Sequence, residues 1–182
     1  MVLLKKRKYR KGFSLLELLL VLGIVAGLVV SAFIVYPKVQ AAQRVEMESK
    51  NIAAIQAGVK ALYSSAPDYS GLNNTVALNA SIFPDSMLSG EGDERTVVNS
   101  FKGDVELVAS GINQNGNIIA DAAFSITYYG VPSAECIRLI YAVRNNFSSV
   151  LINRVAVPQD SYEFAARRCS STTSNRITFI SL

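Results

Sequence analysis

Residues 5–36 read KKRKYRKGFSLLELLLVLGIVAGLVVSAFIVY, and this stretch decides the architecture. Six cations (Lys5, Lys6, Arg7, Lys8, Arg10, Lys11) precede Gly12-Phe13-Ser14-Leu15-Leu16-Glu17, and 19 mostly apolar residues follow, 18–36. Lys and Arg stay on the cytoplasmic side of a membrane, so the basic block sets the orientation of an apolar segment behind it. At about 1.5 Å per residue, a helix of that length spans about 28 Å, close to the hydrocarbon core of a bilayer. Glu17 is the anomaly. A carboxylate at the mouth of such a segment is costly unless something pairs with it. Gly23 and Gly27, four apart, form a small-xxx-small pattern that permits close helix approach, although glycine is also ordinary in membrane helices.

Working outward, 182 residues suffice for one membrane segment and one modest domain. The formal charge of +4 belongs to the leader, because residues 13–182 hold twelve basic and fourteen acidic side chains. The high isoelectric point is therefore no sign of nucleic-acid binding. There is no histidine, which removes His-based triads and His metal sites. No glycine-rich phosphate loop occurs, and nothing points to a catalytic pair. The two cysteines, Cys136 and Cys169, would close a disulfide if the domain is exported to an oxidising compartment. That loop of about 33 residues is worth on the order of 3–4 kcal/mol in the chain-entropy picture. Two unrelated buried thiols are the alternative.

The helical pattern continues past the apolar run to about residue 64. Val45, Ile52, Ile55, Val59 and Leu62 form a stripe for packing on a domain, with Glu46, Glu48 and Lys50 among the intervening polar positions. Pro37 should kink or locally open the helix. Pro67 and Gly71 end it, and residues 72–103 read as a surface connection with one short helix. Strands are expected over 104–109 and 123–129, separated by a 111–117 loop. Pro132 opens a second helix with Cys136, Ile140, Val143 and Phe147 on its buried face. Residues 150–157 read as one strand and 176–182 as the last. The fold class is thus α+β: a long N-terminal helix packed on an antiparallel sheet of four to five strands.

Gly12 offers an accessible backbone between the basic block and the apolar run. Cleavage after it would leave a new amino group on Phe13, one helical turn from Glu17. In a bundle of identical helices, Glu17 of one copy could meet the Phe13 amine of the next. That pairing would offset a desolvation cost of roughly 2.5–3.5 kcal/mol per acid.

This constellation resembles the class III signal of type IV prepilins, strongly over residues 1–36. The layout of 37–182 resembles the type IV pilin fold through its α/β head, Tyr69-Ser70-Gly71-Leu72 and the Cys136–Cys169 pair. Phe13 is the usual first mature residue of type IVa pilins. The mature length, the wide cysteine spacing and the helix carrying Cys136 look more like type IVb, the subclass expected. The resemblance implies three parts: a cleaved leader 1–12, a transmembrane and filament-core helix 13–36, and a periplasmic head 37–182. It implies a prepilin peptidase that cuts Gly12–Phe13 and N-methylates Phe13, with Glu17 acting in assembly. The implied partners are further copies of the chain, that peptidase, the inner-membrane assembly platform and the inner membrane itself. The implied product is an extracellular pilus for adhesion, aggregation or conjugative contact. The competing readings are a pseudopilin of a type II secretion system, a minor pilin and, in another class, a signal-anchored sensor or enzyme domain. The last predicts a functional protein that keeps residues 1–12.

Overall fold

The computed structural model describes residues 14–92, 95–114, 117–158 and 161–182. It divides into two units, Met1–Gln40 and Ala41–Leu182, and helix α1 (Leu15–Leu62) contributes to both. In the first unit, the Leu18 N–H donates to the Ser14 carbonyl at 3.0 Å, which opens the helix at Leu15–Leu20, a run of strong helix formers. The helix continues through Pro37, so the hydrogen bond lost there does not terminate it.

In the second unit, five antiparallel strands run in the order β3-β4-β7-β5-β6. They are β3 (Val105–Gln114), β4 (Asn117–Val131), β7 (Asn175–Ser181), β5 (Ser149–Ile152) and β6 (Val155–Ala156). Between α1 and the sheet come α2 (Asn74–Asn79) and a two-stranded ribbon of β1 (Leu88–Ser89) and β2 (Thr96–Val97). Helix α3 (Ser133–Val143) follows β4, and α4 (Tyr162–Arg168) follows β6. Alternation drives the sheet: in β7 every second residue from Asn175 to Ser181 is buried. Ile52, Ile55 and Val59 of α1 are completely buried with Leu107, Ile126, Ile177 and Phe179. Each such side chain contributes about 1.5–3 kcal/mol relative to exposure.

Several sequence expectations need correction. Residues 111–114 and Asn117, expected within a 111–117 loop, are strand: β3 runs to Gln114 and β4 starts at Asn117, with Ile112 opposite Ile119. The register shifts between Ser110 and Ile112, where the three β4 residues 120–122 face Gly111 alone, so the bulge lies on β4 and Asp121 (φ 53°) marks it. Residues 150–157 are a hairpin rather than one strand. Asn153 (φ 48°) and Arg154 (φ 70°) both take the left-handed conformation that a tight two-residue connection demands. An arginine at such a site is uncommon, and it hides the turn from a sequence reading. Helix α4 was not expected at all; its Ser161 cap, which accepts from the Phe164 N–H at 3.1 Å, was its signal. On α1, Leu62 is exposed, and the buried stripe is Val45, Glu48, Ile52, Ile55 and Val59.

Candidate assembly site

The apolar half of α1 carries its side chains outward. Leu15, Leu16 and Phe33 are about three-quarters exposed (77%, 74% and 76%), and every other described residue from Leu18 to Tyr36 is also exposed. Gly23 and Gly27 have open space where a Cβ would stand, so that flank admits a close neighbour. The Ser31 hydroxyl donates to the Gly27 carbonyl at 2.8 Å and is satisfied within the helix, as a polar group in an apolar run must be. The segment is long and apolar enough to cross a membrane. Glu17 lies in the first turn of α1, where a carboxylate also meets the positive end of the helix dipole. Gly12 and Phe13 lie outside the described residues, so the pairing expected of Glu17 rests on its sequence spacing.

The head carries the second pair of expected residues. Cys136, in the first turns of α3, and Cys169, the C-cap of α4, are joined by a disulfide across a Cα separation of 6.0 Å. Both are buried, so the bond ties two short helices together beneath the surface. Beside it, fully buried Asn175 donates to the Val131 carbonyl at 2.9 Å and the Ser171 carbonyl at 2.7 Å, and it accepts from the Ser171 N–H at 3.2 Å. Asn153 donates to the Arg168 carbonyl at 3.0 Å and accepts from the Arg176 N–H at 2.9 Å. These two asparagines fasten the 169–175 loop, the end of α4 and the β5–β6 turn into one block.

Glu48 is the residue that sequence reasoning missed. It is fully buried on the sheet-facing stripe of α1. Its carboxylate accepts the Ser100 N–H at 2.6 Å, the Ser100 hydroxyl and the Asn51 amide at 3.3 Å. Those bonds replace the water a buried charge loses. They also anchor the loop in which Asn99 accepts from the Phe101 and Gly103 N–H groups, at 2.9 and 3.0 Å, and donates to the Tyr129 carbonyl at 2.8 Å. The signal was available: Val45, Glu48, Ile52, Ile55 and Val59 step by 3, 4, 3 and 4, so Glu48 fills the vacant place in the stripe. Burial, and then the charge and hydrogen-bonding pull of the neighbouring Glu48 carboxylate, hold the Tyr128 hydroxyl well above the ordinary tyrosine range, although the hydroxyl makes no hydrogen bond of full geometry. Arg44 reaches the largely buried Glu135 of α3 at 3.6 Å, a second polar link between α1 and the disulfide-bearing part of the head.

Among the described residues, no group of three or more His, Cys, Asp or Glu side chains gathers as a metal site would require. What the geometry presents instead is an apolar rod with free flanks and a cross-linked head.

The family model described as PilS N terminal matches residues 42–182. The major structural subunits of the bundle-forming pilus from Escherichia coli O127:H6 and from Escherichia coli O111:H- are each 26% identical over 133 residues, or 73% of this chain. The match spans 65% of those relatives' own length, a little under two thirds. The crystal structure of a type IV b pilin from Salmonella typhi superposes with a TM-score of 0.59 at 18% identity, covering 74% of this chain and 97% of that one. TcpA, a type IV pilin from Vibrio cholerae El Tor, superposes with a TM-score of 0.52 at 16% identity, covering 77% of this chain and 99% of that one. The long helix followed by an antiparallel sheet is thus the fold of type IV pilins, including a type IVb member.

Proposed function

The chain belongs to the PilS N-terminal family, and from that premise we propose that it is the structural subunit of a type IV pilus. Residues 1–12 are a leader removed by a prepilin peptidase at Gly12–Phe13, and Phe13 becomes the methylated first residue. Residues 13–36 hold the subunit in the inner membrane and later pack with other copies as the filament's centre. Residues 37–182 form the head, periplasmic before assembly and extracellular in the pilus, which serves adhesion, aggregation or conjugative contact. The assembly platform of the inner membrane draws one subunit after another from the bilayer.

The observation that carries this reading is the exposed apolar half of α1, on a chain whose head has the pilin fold. An apolar helix with open flanks is stable only in lipid or against other such helices, and one segment can use both in turn. Glu17 supports the second state: among residues 13–36 it is the sole charged side chain, and the Phe13 amine of a neighbour is a cation of matching depth. Mass spectrometry of the N-terminus of sheared surface material tests the proposal. The expected species begins at a methylated Phe13. Functional protein that retains residues 1–12 would remove the reading.

A further inference from the structure

Beside the start of β5 the head carries a groove of about 410 Å³, a volume within the range of small-molecule sites. Its walls are the turn at Arg144–Asn146 after α3, the first residues of β5, and Val157 just beyond β6. Phe147, Val150 and Val157 supply an apolar side; Val150 and Val157 are buried and Phe147 is half-buried. Arg144, Asn145 and Ser149 supply a polar side. Among the described residues that line the groove, Arg144 carries the one charge.

The head satisfies only part of that arginine. One arm of its guanidinium, Nη2, donates to the Pro158 carbonyl at 3.1 Å. The other arm, Nη1, is shielded from water and has no hydrogen-bond partner among the described residues. The ion pairs among those residues are Arg44–Glu135, Lys50–Glu46 and Arg167–Glu163, so none holds Arg144. The guanidinium lies 5.9 Å from the centre of the Tyr141 ring, and Tyr141 stacks on Tyr162 at 4.2 Å, with the ring planes 20° apart. The Tyr141 hydroxyl is likewise shielded and unpartnered. A buried donor without an acceptor is costly, and such groups call for water, an ion or a ligand to complete them. Nη1 gains its missing bond when the side chain turns toward an acceptor in the groove.

We propose that this groove binds a carboxylate-bearing sugar, with Arg144 receiving the carboxylate. An acidic pyranose has the matching parts. Its carboxylate suits the guanidinium fork, which accepts two parallel hydrogen bonds' worth of oxygen and is weakly hydrated. Its hydroxyl or amide groups face Asn145 and Ser149, and its face of C–H groups lies on Phe147, Val150 and Val157. A neutral sugar leaves the arginine arm without its acceptor, and a purely apolar ligand leaves the amide and hydroxyl unpaired. Binding is a property of the single head, so the inference goes beyond the filament reading and does not need it.

Titration of the full chain in a zwitterionic detergent, read by ligand-observed NMR, tests the proposal. The probes are N-acetylneuraminic acid and glucuronic acid. N-acetylglucosamine is the neutral control, and acetate is the carboxylate without a ring. At least one acidic sugar is expected to bind with a Kd of about 1 mM or tighter, and both controls about ten-fold more weakly. Arg144→Gln is expected to weaken the acidic sugar about ten-fold and to leave N-acetylglucosamine unchanged. Arg144 also braces Pro158, so Asn145→Trp serves as a second variant. Asn145 is exposed, and a large ring there should fill the groove without disturbing the core. Disulfide state and thermal midpoint are the folding controls. The proposal is overturned if neither acid binds at about 10 mM, or if either control matches the acidic sugars. Wild-type affinity in a folded Arg144→Gln or Asn145→Trp would overturn it as well.

Discussion

Glu48 and Tyr128 show how a single buried polar position organises this head. Glu48 takes a place in an apolar stripe because Ser100 and Asn51 return the hydrogen bonds it leaves in water. Tyr128 beside it has no such return. Tyr128→Phe should therefore change stability at pH 7 by less than about 1 kcal/mol, since it removes an unsatisfied hydroxyl and little volume. Its effect should emerge in alkali. A tyrosine ordinarily ionises near pH 10.0, and in the folded head burial and Glu48 keep Tyr128 protonated far above that. Its contribution is complete below about pH 10 and is lost as pH rises further, because the unfolded chain releases the proton first. Tyr129 acts with the same sign, chiefly through the hydrogen bond it donates to Glu106 at 2.7 Å. The alkaline unfolding midpoint of Tyr128→Phe should lie above that of the wild type, and an unmoved midpoint would contradict the account. Asn175→Ala should cost about 2–3 kcal/mol in denaturant unfolding, because the Val131 and Ser171 carbonyls lose their buried donor. A loss under about 0.5 kcal/mol would mean that the disulfide alone holds the loop.

Among the elements, the sheet edges and the disulfide block repay comparison. β3 is an edge strand of ten residues, the kind that invites uncontrolled pairing. Asn74 of α2 covers its first half, donating to the Val105 carbonyl at 2.8 Å and accepting the Leu107 N–H at 2.7 Å, and the Leu72 carbonyl takes the Ala109 N–H at 3.2 Å. Where β3 begins, Gly103 passes so near β4 that a Cβ there would sit 1.9 Å from the Tyr129 carbonyl oxygen. No backbone contact tolerates that, so Gly103 is fixed by close approach. The disulfide works at the other end of the head. Replacing both Cys136 and Cys169 by serine should remove on the order of 3–4 kcal/mol, read as the difference between oxidised wild type and variant in denaturant titrations. An equal midpoint for the two would show that the Asn153–Asn175 network suffices.

At the scale of the whole molecule, the two units answer to different surroundings. The head is held by its own core, whereas the residues of the first unit whose burial is described are all exposed, which fits the proposed packing in lipid or against other copies. Glu17→Ala should accordingly leave leader cleavage intact, since the altered side chain stands beyond the cut. It should lower fibre yield by about ten-fold or more if, as proposed, Glu17 pairs with the Phe13 amine of a neighbouring copy and that pairing fixes the axial stagger. Quantifying sheared fibres against membrane-held subunit separates the two effects, and normal yield would remove the partner argument for Glu17.

What the sequence determined by itself was local and periodic. The apolar helix from Leu15 and the alternation of 176–182 read directly, because each depends on neighbours within a few turns or strand positions. The same was true of the helix after Pro132, which the structure starts at Ser133 with the proline as its cap. Tertiary structure decided the rest. Only packing shows that Glu48 belongs to the core, since a carboxylate is tolerable there through Ser100, 52 positions away. Only pairing with β4 makes a strand of residues 110–114, and only the strand order brings Glu106 of β3 and Arg176 of β7 to the two sides of Tyr129. Such features depend on contacts between distant parts of the chain, which local periodicity cannot encode.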